Sequence, residues 1–143
     1  MKYHYTPIAT EFGVFPMPFV DVIFSHPDDP TKNVEIFSLV DSGSATILLR
    51  ADFAEPLGIN LESGEKVEIY GIRHGSDVAY KHMLKIRLRF ETQEFLIPCY
   101  FMPELQTSGL LGQQGFFENH KTTLDHRDQR FEITPYEVTP KSV

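Results

Sequence analysis

Apolar and polar residues alternate along much of the chain, with the period of a strand rather than a helix. Phe19-Val20-Asp21-Val22-Ile23-Phe24 predicts a first core strand, stopped by the turn-rich Ser25-His26-Pro27-Asp28-Asp29-Pro30. Val34–Val40 predicts a second, which runs without a break into Asp41-Ser42-Gly43, and beyond that triplet Ala45–Leu49 resumes extended structure. Lys66–Tyr70 and Met83–Phe90 alternate cleanly, so each turns one face to water and one to a core. Between them, Gly71–Asp77 reads as the turn-rich tip of a long hairpin. Phe95–Phe101 predicts a further strand, and Lys121–Leu124 with Arg130–Thr134 a last hairpin around Asp125–Asp128. Helical signals are few: one turn in Ala51–Gly58, ended by Pro56 and Gly58, and a short helix in the second half of Leu110–Glu118. Short strands with only two small helical segments predict an all-β barrel-like or sandwich domain.

Composition narrows the class. With 143 residues there is room for one domain. Thirteen Lys and Arg against 20 Asp and Glu give a net charge of −7 without a basic stripe, which argues against a nucleic-acid partner. The single cysteine, Cys99, allows no intrachain disulfide and no Cys-based zinc site; its apolar surroundings, Leu96–Phe101, predict a buried, inert thiol. Met1–Pro7 has no apolar segment of the secretory type, and no apolar run approaches the ~20 residues of a membrane span. A soluble, cytoplasmic protein without membrane contact is expected, and nothing calls for a cofactor.

The informative chemistry is at Asp41. An ionised carboxylate between apolar strands loses hydration, and neighbouring donors or a function must compensate. Ser42 supplies a hydroxyl, and Gly43 lets another backbone come close. Taken alone, Asp-Ser-Gly is ordinary β-turn vocabulary. In its context the chain resembles the retropepsin-like aspartic proteases, the retroviral-type half-pepsin fold. Over roughly residues 15–134, the matching parts occur in the family's order. They are the strand Phe19–Phe24, the signature Leu39-Val40-Asp41-Ser42-Gly43-Ser44-Ala45, a short element around Phe53–Gly58, and a glycine-bearing flap hairpin at Gly71–Gly75. Gly109-Leu110-Leu111-Gly112-Gln113-Gln114-Gly115-Phe116-Phe117 completes the set, looking like the segment that opens the family's C-terminal helix. Gln113 stands where an Arg is common, which puts in doubt any salt bridge or dimer contact that Arg would make.

The resemblance implies a closed retropepsin-like β-barrel with one or two short helices, occupying residues 15–134. It is preceded by a leader, 1–14, without an evident role and followed by a mobile tail, 135–143. It also implies an aspartic endopeptidase. Only one Asp-Ser-Gly is present, so the second carboxylate would come from a second copy in a C2 homodimer acting on a peptide or protein substrate. Asp41 would be catalytic, with Ser42, Gly43 and Ser44 in support and Leu110, Leu111 and Gly112 as the core segment beside the loop. Gly71, Ile72, Arg73, His74 and Gly75 would form the flap over the substrate. The alternative is a catalytically silent dimerisation or peptide-binding module, and a more distant one an unrelated β-barrel binding protein.

Other candidates read more simply. His74 is expected to be an exposed loop residue. His120, Asp125, His126 and Asp128 lack the register of a metal motif, so no metal is expected. Ser42 and Ser44 lack the Gly-x-Ser-x-Gly elbow of a serine nucleophile. Phe116 and Phe117 read as core, and Arg87 and Arg89 as the wet face of a strand.

Overall fold

The computed structural model describes residues 1–70 and 76–137. Its strands are β1 (Lys2–His4), β2 (Thr6–Thr10), β3 (Gly13–Met17), β4 (Phe19–His26), β5 (Asp29–Val40), β6 (Ile47–Arg50), β7 (Glu65–Tyr70), β8 (Ser76–Leu88), β9 (Phe95–Met102), β10 (Gly109–Leu111), β11 (His120–Asp125) and β12 (Arg130–Pro135). Short 3-10 turns cover Ala51–Phe53 and Leu61–Ser63.

The alternating strands close into a ring. Seven of them run in the order β4-β5-β10-β6-β9-β8-β7, and β4 also pairs with β8 from Val22↔Leu88 to Ser25↔Lys85. This is the barrel-like, all-β domain that the periodicity predicts. The 13-residue β8 makes closure possible, because successive stretches of it serve β7, β9 and β4. Val20, Val22 and Phe24 of β4, Leu84, Ile86 and Leu88 of β8, and Phe95, Ile97, Cys99 and Phe101 of β9 all point inward and are buried. Each such side chain contributes about 1.5–3 kcal/mol on leaving water. The hairpin β7–β8 extends beyond the ring, and its expected tip, Gly71–Gly75, lies outside the described residues.

A three-stranded sheet, β1-β12-β11, packs against the ring. Tyr3 stacks on Phe131 with ring centroids 5.1 Å apart, and Phe131 and Ile133 belong to the core. Residues 1–14 therefore form β1 and most of a separate hairpin, β2–β3, in register from Thr6↔Met17 to Thr10↔Gly13. At the other end, β12 runs to Pro135 and the Tyr136 N–H donates to the Asn119 carbonyl at 2.8 Å. The remainder of the expected mobile tail, 138–143, lies outside the described residues.

Two boundaries differ from expectation. β5 begins at Asp29 rather than Val34, because the β4–β5 ladder continues past the apolar stretch to His26↔Asp29. The expected short helix after Gly112 is a single kinked π-helical turn over Gln113–Phe117. Gln114 is extended there (ψ 129°), and Gly115 has φ +89°, a conformation that L side chains rarely adopt.

Candidate active site

Asp41 sits where β5 leaves the ring, and its position is fixed by backbone from a distant part of the chain. Strand β10 lies parallel to the end of β5, with Leu111 opposite Val40, and antiparallel to β6, with Gly109 opposite Leu49. The Asp41 N–H donates to the Leu111 carbonyl at 3.0 Å. Past β10, the Gln113 N–H donates to the Ser44 carbonyl and the Gln114 N–H to the Ala45 carbonyl, each at 2.9 Å. Segment 111–114 thus straps down the loop of residues 41–46.

Gly112 is required for this close approach. A β-carbon there would collide with the carbonyl oxygens of Thr46 and Ser44. Gly109 is similarly crowded: a β-carbon would meet the Ser38 hydroxyl oxygen at 2.7 Å. The apolar-apolar-Gly segment picked out in the sequence is therefore the clamp of the Asp41 loop. Buried Leu111 anchors it to the core.

Inside the loop the bonds are local. One Asp41 carboxylate oxygen accepts the Gly43 N–H at 2.9 Å, and the Asp41 carbonyl accepts the Ser44 N–H at 3.1 Å. The Ser44 hydroxyl donates to the Thr46 carbonyl at 2.8 Å. Ser42 is held through its backbone carbonyl, which accepts from the Gln113 side-chain amide at 2.8 Å. Gln113, noted in the sequence only as a departure from the resembled pattern, is here a brace on the loop. No periodicity marks that role; only its place directly after Gly112 points to it.

In the single chain Asp41 is half-buried, while Ser42 and Gly43 are exposed. This corrects the expectation of a deeply desolvated carboxylate: the loop emerges at the edge of the ring, not between its walls. Asp41, Ser42, Gly43 and Ser44 come together with Leu110, Leu111 and Gly112, whereas the flap residues Gly71–Gly75 lie outside the described residues. The other candidates fall elsewhere. Cys99 is fully buried, and burial pushes its thiol well above the usual range, so it is not a nucleophile. His120 is buried against Phe116, rings 4.7 Å apart and nearly parallel, with Nδ1 2.9 Å from the Phe116 carbonyl. It is separate from the Asp125–Asp128 turn, and among the described residues no group of three or more His, Cys, Asp or Glu side chains is placed to hold a metal ion. Phe116 is core and Phe117 packs against it. Arg89 on the outer face pairs with Glu35 at 3.2 Å.

No family model matches the sequence, and neither does any curated protein. Among solved structures, the chain is similar to a retropepsin-like aspartic protease from Rickettsia conorii. The identity is 18%, the TM-score 0.63, and the match covers 93% of this chain and 90% of that one. This chain has the retropepsin-like fold. A second match is the EIAV protease complexed with the inhibitor HBY-793, at 17% identity and TM-score 0.46, over 67% of this chain and 81% of that one. The retropepsin-like match spans nearly the whole chain, and thus more than the residues 15–134 that carry the sequence resemblance. Among the described residues, no helix is long and apolar enough to cross a membrane.

Proposed function

We propose that the chain is one protomer of a homodimeric aspartic endopeptidase with Asp41 as its catalytic residue. The observation that carries this reading is the Asp41 loop. A backbone strap holds the loop and the Gly43 N–H holds the carboxylate, with exposed Ser42 and Gly43 beside it, in a retropepsin-like fold whose sequence carries one Asp-Ser-Gly. Amide hydrolysis needs a base to activate water and an acid to protonate the leaving nitrogen. One carboxylate cannot serve as both at once. Two in contact can, because like charges so close do not both ionise, and the pair shares a proton.

In this reading two copies of Asp41 meet across a two-fold axis. The ionised member takes a proton from the water as its oxygen bonds to the scissile carbonyl carbon. The protonated member stabilises the carbonyl oxygen, and a proton passes to nitrogen as the C–N bond breaks. Exposed Gly43 lets the two loops approach, and hairpin β7–β8 with Gly71–Gly75 closes over an extended peptide. Apolar residues at the scissile bond and a cytoplasmic location complete the proposal.

The silent-module reading draws support from one observation. In the single chain Asp41 is only partly buried, in a loop whose Ser42 and Gly43 are exposed, so its placement does not by itself argue for catalysis. The test is incubation of purified protein with a peptide library between roughly pH 4 and 7, beside Asp41→Asn. Cleavage that disappears in the variant supports the enzyme. Equal cleavage by both proteins refutes the assignment to Asp41, and no cleavage by either favours the silent module.

A further inference from the structure

The proposed chemistry leaves hairpin β2–β3 unused, yet its placement ties it to Asp41. The Val40 N–H donates to the Pro18 carbonyl at 2.9 Å, continuing the β4–β5 ladder one step beyond Phe19↔Leu39. Met17, the last residue of β3, directly precedes Pro18, and Val40, which bonds to Pro18, directly precedes Asp41. From there the hairpin leads outward to a tip whose apolar side chains face water: Phe12 is 82% exposed, Val14 68% and Phe15 45%.

A cleft of about 740 Å³ runs along the hairpin, lined by Thr10, Glu11, Phe12, Phe15, Met17 and Gln106. Gln106 belongs to the loop between β9 and β10, and so to the connection that delivers Leu111 to the Asp41 backbone. The same Gln106 lines a second cleft, of about 290 Å³, with Leu105 and with Asp77 of β8, which pairs with Ile69 at the far end of the described β7–β8 ladder. Gln106 thus joins the cleft along β2–β3 to the one beside Asp77 of β8. Among the described residues β2 and β3 pair only with each other, so each has an open edge on which an extended peptide can form ladder hydrogen bonds.

We propose that this cleft is an outer peptide-binding subsite that takes an apolar or aromatic substrate side chain several residues from the scissile bond. The inference rests on the endopeptidase reading. From Met17 to Gly13 strand β3 covers roughly 13 Å, or about four residues of extended peptide, with Phe12 in the turn beyond it. Phe12, Phe15 and Met17 supply the apolar contact, and Glu11 at the rim disfavours an acidic residue. Substrates long enough to reach the hairpin are cut in preference to short ones.

The experiment is a competition among peptides that carry Phe or Ala at each position from the second to the fifth residue on either side of one scissile bond. They are cleaved together by the wild-type protein and by Phe12→Ser/Phe15→Ser, with Asp41→Asn as background. The wild type is expected to favour Phe over Ala at an outer position by about tenfold in kcat/KM, the scale for one apolar side chain in a pocket. In the double variant that ratio falls close to one, while Phe15→Leu restores part of it. Both replaced residues face water, and circular dichroism checks that the variant is folded. An outer-position ratio unchanged by the double substitution overturns the subsite and leaves the endopeptidase standing. So does a wild-type dimer that sediments as a monomer only in the variant, because the hairpin is then an arm gripping the second copy. Absence of any Asp41-dependent cleavage removes the endopeptidase reading, and the subsite with it.

Discussion

Replacing Gly112 by Ala should unfold the active-site loop from behind, whereas the same change at Gly43 should not. At Gly112 the new β-carbon would lie 2.8 Å from the Ser44 carbonyl carbon, where ordinary contact begins at 3.4 Å, and closer still to the Ser44 and Thr46 oxygens. These are backbone atoms and cannot swing away as the end of a side chain can. Overpacking of this kind costs about 1–3 kcal/mol. Shifting the strap also strains the Gln113 and Gln114 N–H bonds to Ser44 and Ala45, each worth about 1 kcal/mol. A total near 3 kcal/mol lowers Tm by about 10 °C in a chain of this size. At Gly43 the nearest atom is the Asp41 carboxylate oxygen at 3.2 Å, the mobile end of a side chain. Gly43→Ala should therefore cost under about 1 kcal/mol, yet reduce kcat/KM by about tenfold or more through displacement of the carboxylate and crowding of the second loop. Thermal denaturation at matched protein concentration, followed by peptide cleavage, measures both effects. A Gly112→Ala protein that melts within about 2 °C of wild type would refute the clamp.

Three further outcomes follow from the same geometry. Gln113→Ala removes the exposed bond to the Ser42 carbonyl, so stability should fall by no more than about 1 kcal/mol in a denaturant titration, with a clearly larger proportional loss in kcat/KM. His120 is held below its ordinary pKa, chiefly by burial, against the opposing pull of the Phe116 carbonyl and the Glu91 charge. The unfolded chain then takes up that proton first: stability is complete above about pH 6.5 and declines as pH falls through the folded-state value. In urea titrations at several pH values, His120→Phe should flatten that slope. Cys99 should resist a thiol reagent in the folded protein and react at once in denaturant; rapid labelling of the native state would contradict its burial.

The ring was readable from the sequence because β4, β8 and β9 each bury one face, and a half-buried strand writes a period of two into its residues. Hairpin β2–β3 left no such trace: Phe12, Val14 and Phe15 face water, so its apolar residues mark no core. Strand β10 is three residues long, too short for any period, and its identity as a strand comes from pairing with β5 and β6 across the fold. It was visible only as a motif. At the site, the residue types of Asp41-Ser42-Gly43 were legible, but the environment was not. Flanking apolar strands suggested a desolvated carboxylate, whereas the loop turns out of the ring and leaves Asp41 only partly buried in one chain. Gln113 shows why sequence stops short: its side chain matters through one bond to a carbonyl 71 residues earlier, a relation that only the fold creates.

In the proposed enzyme two copies of Asp41 form one active site, and subunit mixing distinguishes that from a site within one chain. Wild-type protein is exchanged with an equal amount of Asp41→Asn until subunits are randomly paired, and peptide cleavage is compared with that of the unmixed wild type at the same total concentration. If each site needs both carboxylates, only pairs of wild-type subunits cleave, and specific activity falls to about one quarter. A fall to about one half would mean that each chain carries a complete site of its own, and would rule out a shared pair of Asp41 carboxylates.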